Sequence, residues 1–311
     1  MAESVRLVDP RQVDRNPENP RLVFRQDELD ALADSIKRQG ILVPLTLYQE
    51  GKKFRILDGE RRWRCALKLG LPLIPAILVS KPDRMTNLMM MFAIHHRRNE
   101  WDPLPTAQKL QVLEELYESR YGKKPTEKEL SELSSLRVGE IRRLKKLLAL
   151  PQEYRDLLME ELQKPRSEQR LTVDQVLEST VAAQALRKRG ILTDQEEAKL
   201  RMALVEKFRD GVIQNTVAPR KVSKIARAVQ RGDVSLKTAR AAALKLANNS
   251  SYGVEQAFHD TAADKDREHN IELLAQRLLE RLEEAQSDGL DIGPSVLSTL
   301  RKLRSILGQF R

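Results

Sequence analysis

The chain has 311 residues, too long for one ordinary domain, and its 41% hydrophobic content suffices for more than one core. Lysine and arginine exceed the acids by ten, a balance that favours polyanionic partners, nucleic acid foremost. One cysteine, Cys65, excludes an internal disulfide and a cysteine-built zinc site, and no apolar run reaches the roughly 20 residues of a membrane span. The polar start is neither a signal nor a transit peptide, so the expected setting is cytoplasmic and nucleoid-associated, with no membrane partner.

Strand-like runs are confined to the first 80 residues. Pro17, Asn19 and Pro20 predict an extended, turning lead-in. Leu29, Leu32 and Ile36 share a helical face that ends at Gly40, a natural residue after a helix. The runs LVPLTLY and KFRILD, joined by Gln49-Glu50-Gly51-Lys52, read as a hairpin. A helix over GERRWRCALKLG follows, closed by Gly70, and IPAILV is one further strand. From Thr86 on the pattern is helical, with Pro103, Pro105, Pro125, Pro151 and Pro165 as separators. Leu88 to Phe92 reads as a buried helix face, Cys65 as a small core residue, and Trp63 and Trp101 as packing anchors.

Thr193 and Ser235 are expected N-caps, and NNSSYG at 248–253 and the polar stretch 260–270 are expected linkers. Ile271, Leu274, Leu278 and Leu282 form one stripe, and Val296, Leu300, Leu303, Leu307 and Phe310 a second. Both read more readily as bundle core than as coiled coil, because neither lasts four heptads. The expected domains are 1–100, 101–160, 161–250 and 260–311, the last a candidate dimerisation segment.

Two stretches carry chemistry. In TEKELSELSSLRVGEIRRLKKLLALP (126–151), Thr126 and Glu129 form a capping box, and Leu130 and Leu133 turn inward on the first helix. Ser134-Ser135 allow a break, and Ile141, Leu144, Leu147 and Leu148 turn inward on the second helix. The opposite face offers Arg137, Arg142, Arg143, Lys145 and Lys146 against Glu140. That arrangement suits a recognition helix in a DNA groove, and equally an ordinary helical hairpin with a solvated basic face. Two details depart from the ideal: Ser135 stands where glycine is usual, and Arg137 where a serine cap is expected.

The second stretch is Gly59-Glu60-Arg61-Arg62-Trp63-Arg64. Arginines at a helix start oppose the helix dipole unless an anion is bound, and the free N–H groups there point at such an anion. His95-His96-Arg97-Arg98 is another cationic cluster.

NPENPR at 16–21, GILVP at 40–44, DGERRWRCA at 58–66 and the segment 126–151 stand in the order of the ParB partition family, which this chain resembles over about half its length. The resemblance implies an α+β ParB/sulfiredoxin-like N-terminal domain, followed by an all-α helix-turn-helix domain and a helical C-terminal region. It implies binding of CTP with Mg²⁺, DNA binding and a nucleotide-gated homodimeric clamp, with a ParA-type ATPase as candidate partner. Carried over by position, Gly40 and Pro44 shape the cytosine side, while Gly59, Glu60, Arg61 and Arg62 cradle the triphosphate. The family's Glu-Asn-x-x-Arg motif is here Ile94, His95, His96, Arg97 and Arg98, of which Arg98 alone fits. Imidazole prefers softer metals than Mg²⁺, so the expectation is phosphate contact by His95, His96 and Arg98 with slow CTP hydrolysis at most. The competing readings are a nucleotide-hydrolysing or nuclease-type enzyme, and a protein-binding adaptor with a decayed pocket. Residues 160–311 exceed the compact dimerisation domain that usually ends a ParB chain.

Overall fold

The computed structural model describes residues 4–96 and 102–310, with His95 and His96 described by backbone only. It divides within one helix into two compact units, Met1–Leu177 and Glu178–Arg311.

In the first unit, strands β1 (Val5–Val8) and β2 (Val13–Asp14) precede helix α1 (Gln26–Gln39). Strands β3 (Leu45–Glu50) and β4 (Lys53–Asp58), helix α2 (Glu60–Lys68) and strand β5 (Ile74–Val79) follow. The sheet order is β1-β5-β3-β4-β2. The β3–β4 pair is the expected antiparallel hairpin, turned at Gly51 with φ 64°, while the crossover through α2 makes β3 and β5 parallel. Leu45, Leu47, Ile56, Ala66, Ile74 and Ala76 form a buried core. Beside it, α1 packs against α2 through Ala33, Ile36 and Cys65.

Three details differ from the sequence expectation. Leu42 and Val43 lie exposed before β3, because Pro44 has no N–H to give a ladder. β1 and β2 carry no sequence signal: both are edge strands, one interrupted by Arg6 and the other two residues long. Pro105 does not separate segments. It lies with Pro103 in the first turn of the long helix α4 below, where backbone N–H groups have no intrahelical acceptor to lose.

Helix α3 (Arg84–His96) buries Leu88, Met91 and Phe92, and Trp63 packs on the core with its indole N–H on the Pro10 carbonyl. Helices α4 (Pro103–Tyr121), α5 (Glu127–Ser134), α6 (Val138–Leu148) and α7 (Gln152–Gln163) complete this unit, with α8 (Val173–Arg187) at the division.

The second unit holds α9 (Asp194–Arg209), α10 (Arg220–Arg231), α11 (Leu236–Asn248), α12 (Val254–His259), α13 (Ala263–Ser287) and α14 (Pro294–Leu307). Thr193 and Ser235 cap α9 and α11 as expected. The 248–253 segment is not a loose linker. Lys207 Nζ donates to the Asn249 and Ser250 carbonyls at 2.6 and 2.8 Å, and the buried Tyr252 donates its hydroxyl to Asp260 at 2.8 Å. Residues 263–270 are the first turns of α13 rather than a linker. The two C-terminal stripes are not a bundle core within this chain: no residue of α13 or α14 is buried, and Ile271 and Leu274 are 62% and 64% exposed.

Candidate functional site

Gly59 holds the strand-to-helix corner between β4 and α2. Its φ of 101° belongs to glycine, and an added Cβ would lie 2.8 Å from Leu45 Cγ. No side chain caps α2, so its first turn keeps the anion-ready polarity the sequence suggests. The side chains behave differently from that expectation. Arg62 donates to the Val43 carbonyl, to the Pro44 carbonyl at 2.9 Å and to Asp58 at 2.9 Å, which clasps the 40–44 loop. Arg61 reaches back to α1, with Nη2 3.7 Å from the Glu28 carboxylate. Gly40 ends α1 with φ 73°, its N–H on the Ile36 carbonyl at 2.8 Å.

A cavity of about 410 Å³ opens on the other flank of α2. It is lined by the NPENPR loop (Asn16, Pro17, Asn19 and Arg21), by Arg15, Leu22 and Phe24, and by Arg55, Glu60 and Arg64. Four arginines face one acid there. Glu60 is buried, taking Asn19 Nδ2 at 2.6 Å and Arg64 Nη2 at 2.7 Å on its two oxygens. The Arg64 guanidinium stacks 3.9 Å from the Phe24 ring centroid, which fixes its fork. Such a concave, cationic and partly aromatic wall suits a phosphorylated ligand with a ring.

Of the site residues expected from sequence, the cavity gathers Glu60; Gly40, Pro44, Gly59, Arg61 and Arg62 are outside its described lining. His95 and His96 side chains and Arg98 lie outside the described residues. The residues sequence reasoning did not assign are Asn16, Asn19, Arg21, Phe24, Arg55 and Arg64. The NPENPR motif was the signal for Asn16, Asn19 and Arg21, and DGERRWRCA for Arg64, while Phe24 and Arg55 stand in no motif. Asn16 Oδ1 accepts from Glu18 N at 3.0 Å and Asn19 Oδ1 from Arg21 N at 2.9 Å, so NPENPR builds two successive asparagine turns. Asn16 also exchanges amide hydrogen bonds with Asn87 of α3 at 2.9 and 3.2 Å.

Among the described residues no three His, Cys, Asp or Glu side chains form a metal-binding group. Cys65 is buried with its thiol against the Leu29 carbonyl, and burial pushes its pKa up, so it behaves as core. No helix is long and apolar enough to cross a membrane, among the described residues.

The second candidate surface is α5–α6. Thr126 and Glu129 form the expected capping box, and the Thr126 backbone N–H, then Lys123 and Tyr117, hold the Glu129 carboxyl far below the usual range. Ser135 turns the chain in the left-handed region at φ 59°, the only non-glycine residue described there. Leu130, Leu136, Ile141, Leu144 and Leu147 are buried, with Leu133 and Leu148 half-buried. Glu140 accepts from Arg137 N at 2.8 Å and so caps its own helix. The basic face is less free than the sequence implies. Arg142 pairs with Glu127 at 2.7 Å, Arg143 with Asp174 at 2.8 Å and Lys145 with Glu114 at 2.5 Å. Arg137 and Lys146 are exposed and have no ion pair among the described residues.

Residues 1–93 match the family model of the ParB N-terminal domain. The chain is 31% identical over 147 residues to a probable chromosome-partitioning protein ParB of Helicobacter pylori, covering 47% of this chain and 48% of that protein. It is 31% identical over 159 residues to a nucleoid occlusion protein of Geobacillus kaustophilus, covering 51% and 54%. A crystal structure of the C-terminally truncated Caulobacter crescentus ParB complexed with CTP-gamma-S is 27% identical, with a TM-score of 0.29 and coverage of 50% and 85%. This chain spans about half the length of the curated relatives it matches. Residues 1–93 thus match the ParB N-terminal domain, and about half of the chain is similar in sequence to ParB and nucleoid occlusion proteins.

Proposed function

We propose that the chain is a nucleotide-gated DNA-binding protein acting in chromosome or plasmid partition, with CTP as its nucleotide. The observation that carries this reading is the arginine-lined cavity, which the NPENPR loop and α2 build in the same compact unit as α5 and α6. Arg15 has no ion pair among the described residues, and Arg21, Arg55 and Arg64 would exchange Glu28, Glu50 and Glu60 for the phosphates of a triphosphate. Cytosine as the base rests on the motif resemblance alone.

Mg²⁺ would accompany the triphosphate, but the one carboxylate lining the cavity, Glu60, is already paired with Arg64 and Asn19. A cation there would rest mainly on the phosphates. With Ile94 where the family carries its acid, hydrolysis is slow or absent, so the nucleotide acts as a switch rather than a fuel.

The exposed stripes of α13 and α14 support a homodimer. The α13 helix carries seven acids and four bases, a net of three negative, while α14 carries three bases and no acid. Pairing α13 of one copy with α14 of the other would bury both stripes and oppose these charges. A ParA-type ATPase remains the proposed protein partner by resemblance.

Calorimetric titration with each of the four nucleoside triphosphates, with and without duplex DNA, tests the reading. CTP alone giving saturable heat is the expected result; equal response to all four, or to none, overturns it.

A further inference from the structure

The NPENPR loop has a second attachment that the cavity does not use. Asn16, Pro17 and Asn19 line the cavity, but Glu18 between them does not. Its side chain is 8% exposed, with Oε1 2.6 Å from Arg84 Nε of α3 and Oε2 3.0 Å from Lys109 Nζ of α4. Lys109 also donates to the Pro17 carbonyl at 2.8 Å. Burial opposes the Glu18 charge, yet Arg84 and Lys109 outweigh it and hold the carboxyl below its usual range.

Residues 16–19 form one tight turn, with Asn19 N on the Asn16 carbonyl at 3.1 Å and Glu18 N on Asn16 Oδ1 at 3.0 Å. A ligand that shifts Asn16 or Asn19 therefore shifts Glu18. On the far side, α4 packs along α6, and Glu114, five residues beyond Lys109, pairs with Lys145 of α6. The two ion pairs are separate, and the body of α4 joins them, so one helix links the cavity loop to the basic helix.

We propose that the Glu18–Lys109 ion pair is the joint through which occupancy of the cavity sets the position of α4 and α6. This rests on the nucleotide-gated DNA-binding reading above. A ligand shifts an equilibrium only by its differential affinity for two arrangements, and the joint supplies that difference by breaking or forming as the loop moves. The coupling is reciprocal, so DNA on α6 changes nucleotide affinity by the same factor.

The test measures CTP affinity of the full chain by calorimetry, with and without a saturating duplex selected from a randomised pool. Wild type is expected to change affinity about fivefold or more on adding DNA, the lower end of ordinary couplings. Glu18→Gln and Lys109→Met are expected to bind CTP alone with nearly wild-type affinity but to lose the DNA effect, and the double variant to match either single one. Arg84→Met removes the other partner of the same carboxylate, and it is expected to keep the DNA effect. Thermal melts confirm that each variant is folded. A DNA effect that survives Lys109→Met, or that Arg84→Met abolishes equally, overturns the proposal. A wild type that binds CTP without any DNA effect overturns it while leaving the nucleotide reading intact. A wild type that binds no CTP sinks both.

Discussion

Arg62, placed by sequence at the phosphate end of a helix, donates instead to the Pro44 carbonyl at 2.9 Å and to Asp58 at 2.9 Å. Arg64, two residues further along and so on the other side of the helix, lines the cavity and neutralises Glu60 at 2.7 Å. Their substitutions separate accordingly. Hydrogen bonds to charged groups contribute roughly 1.5–3 kcal/mol, so Arg62→Ala lowers fold stability by about 2 kcal/mol in denaturant titration. Arg64→Ala leaves Glu60 with Asn19 alone and a negative charge facing an incoming triphosphate, and it weakens CTP binding by about tenfold or more. Unchanged CTP affinity in Arg64→Ala would remove the cavity from consideration.

This division explains how much of the site was legible beforehand. Gly59 and the loop-to-helix corner could be read because a sharp turn into a helix needs a residue free of Cβ, and the structure puts φ 101° there. Which arginines face the cavity could not be read, because a helix face is decided by what packs on either side. Here Asp58 and the 43–44 carbonyls draw Arg62 one way, and Phe24 and Glu60 draw Arg64 the other. The central capping box at Thr126 and the cap at Thr193 were local patterns and held. The linker at 248–253 failed for the opposite reason. Asn, Ser and Gly look like a flexible tract until Lys207, 42 residues away in sequence, takes the Asn249 carbonyl.

Tyr252 in that packed segment gives a pH signature. Burial, and then its hydrogen bond to Asp260, push its pKa from 10.0 up to about 12. The neutral phenol is the form the fold prefers, so its stabilisation is complete below pH 10 and is lost as pH rises through about 12. Tyr48 and Tyr117 are raised too, so absorbance titration at the phenolate band is expected to lose one tyrosine's amplitude near pH 12 in Tyr252→Phe relative to wild type. A transition there that Tyr252→Phe leaves untouched would contradict the packed geometry.

The C-terminal helices predict an association that depends on apolar contact. Leu274 is 64% exposed on α13, beside Ile271 at 62%, in a helix with no buried residue. Burying a leucine side chain contributes roughly 1.5–3 kcal/mol, twice over in a symmetric dimer. Leu274→Glu is therefore expected to shift sedimentation from dimer to monomer at micromolar concentration without lowering helical content. A dimer that persists in this variant would place the interface elsewhere.

The basic helix α6 makes the last prediction, because its four cations and Arg137 at its N-cap are not equivalent. Arg142, Arg143 and Lys145 are each held by an acid, Glu127, Asp174 and Glu114 in turn, whereas Arg137 and Lys146 stand exposed without an ion pair among the described residues. A paired cation must surrender its carboxylate before it neutralises a phosphate, and that exchange releases little net charge. An unpaired one displaces condensed counterions directly. Arg137→Ala and Lys146→Ala are thus each expected to weaken binding to every duplex and to flatten the slope of affinity against salt by about one unit. Arg142→Ala frees Glu127 as it removes a cation, so it weakens binding with a similar or larger loss while leaving an acid beside the DNA. Glu127→Gln is the discriminating variant: it releases Arg142, and it should tighten binding and steepen the salt slope. Fluorescence anisotropy over a range of salt concentrations measures all four. If Glu127→Gln leaves the slope unchanged while Arg137→Ala and Lys146→Ala have no effect, α6 is not the surface that meets DNA.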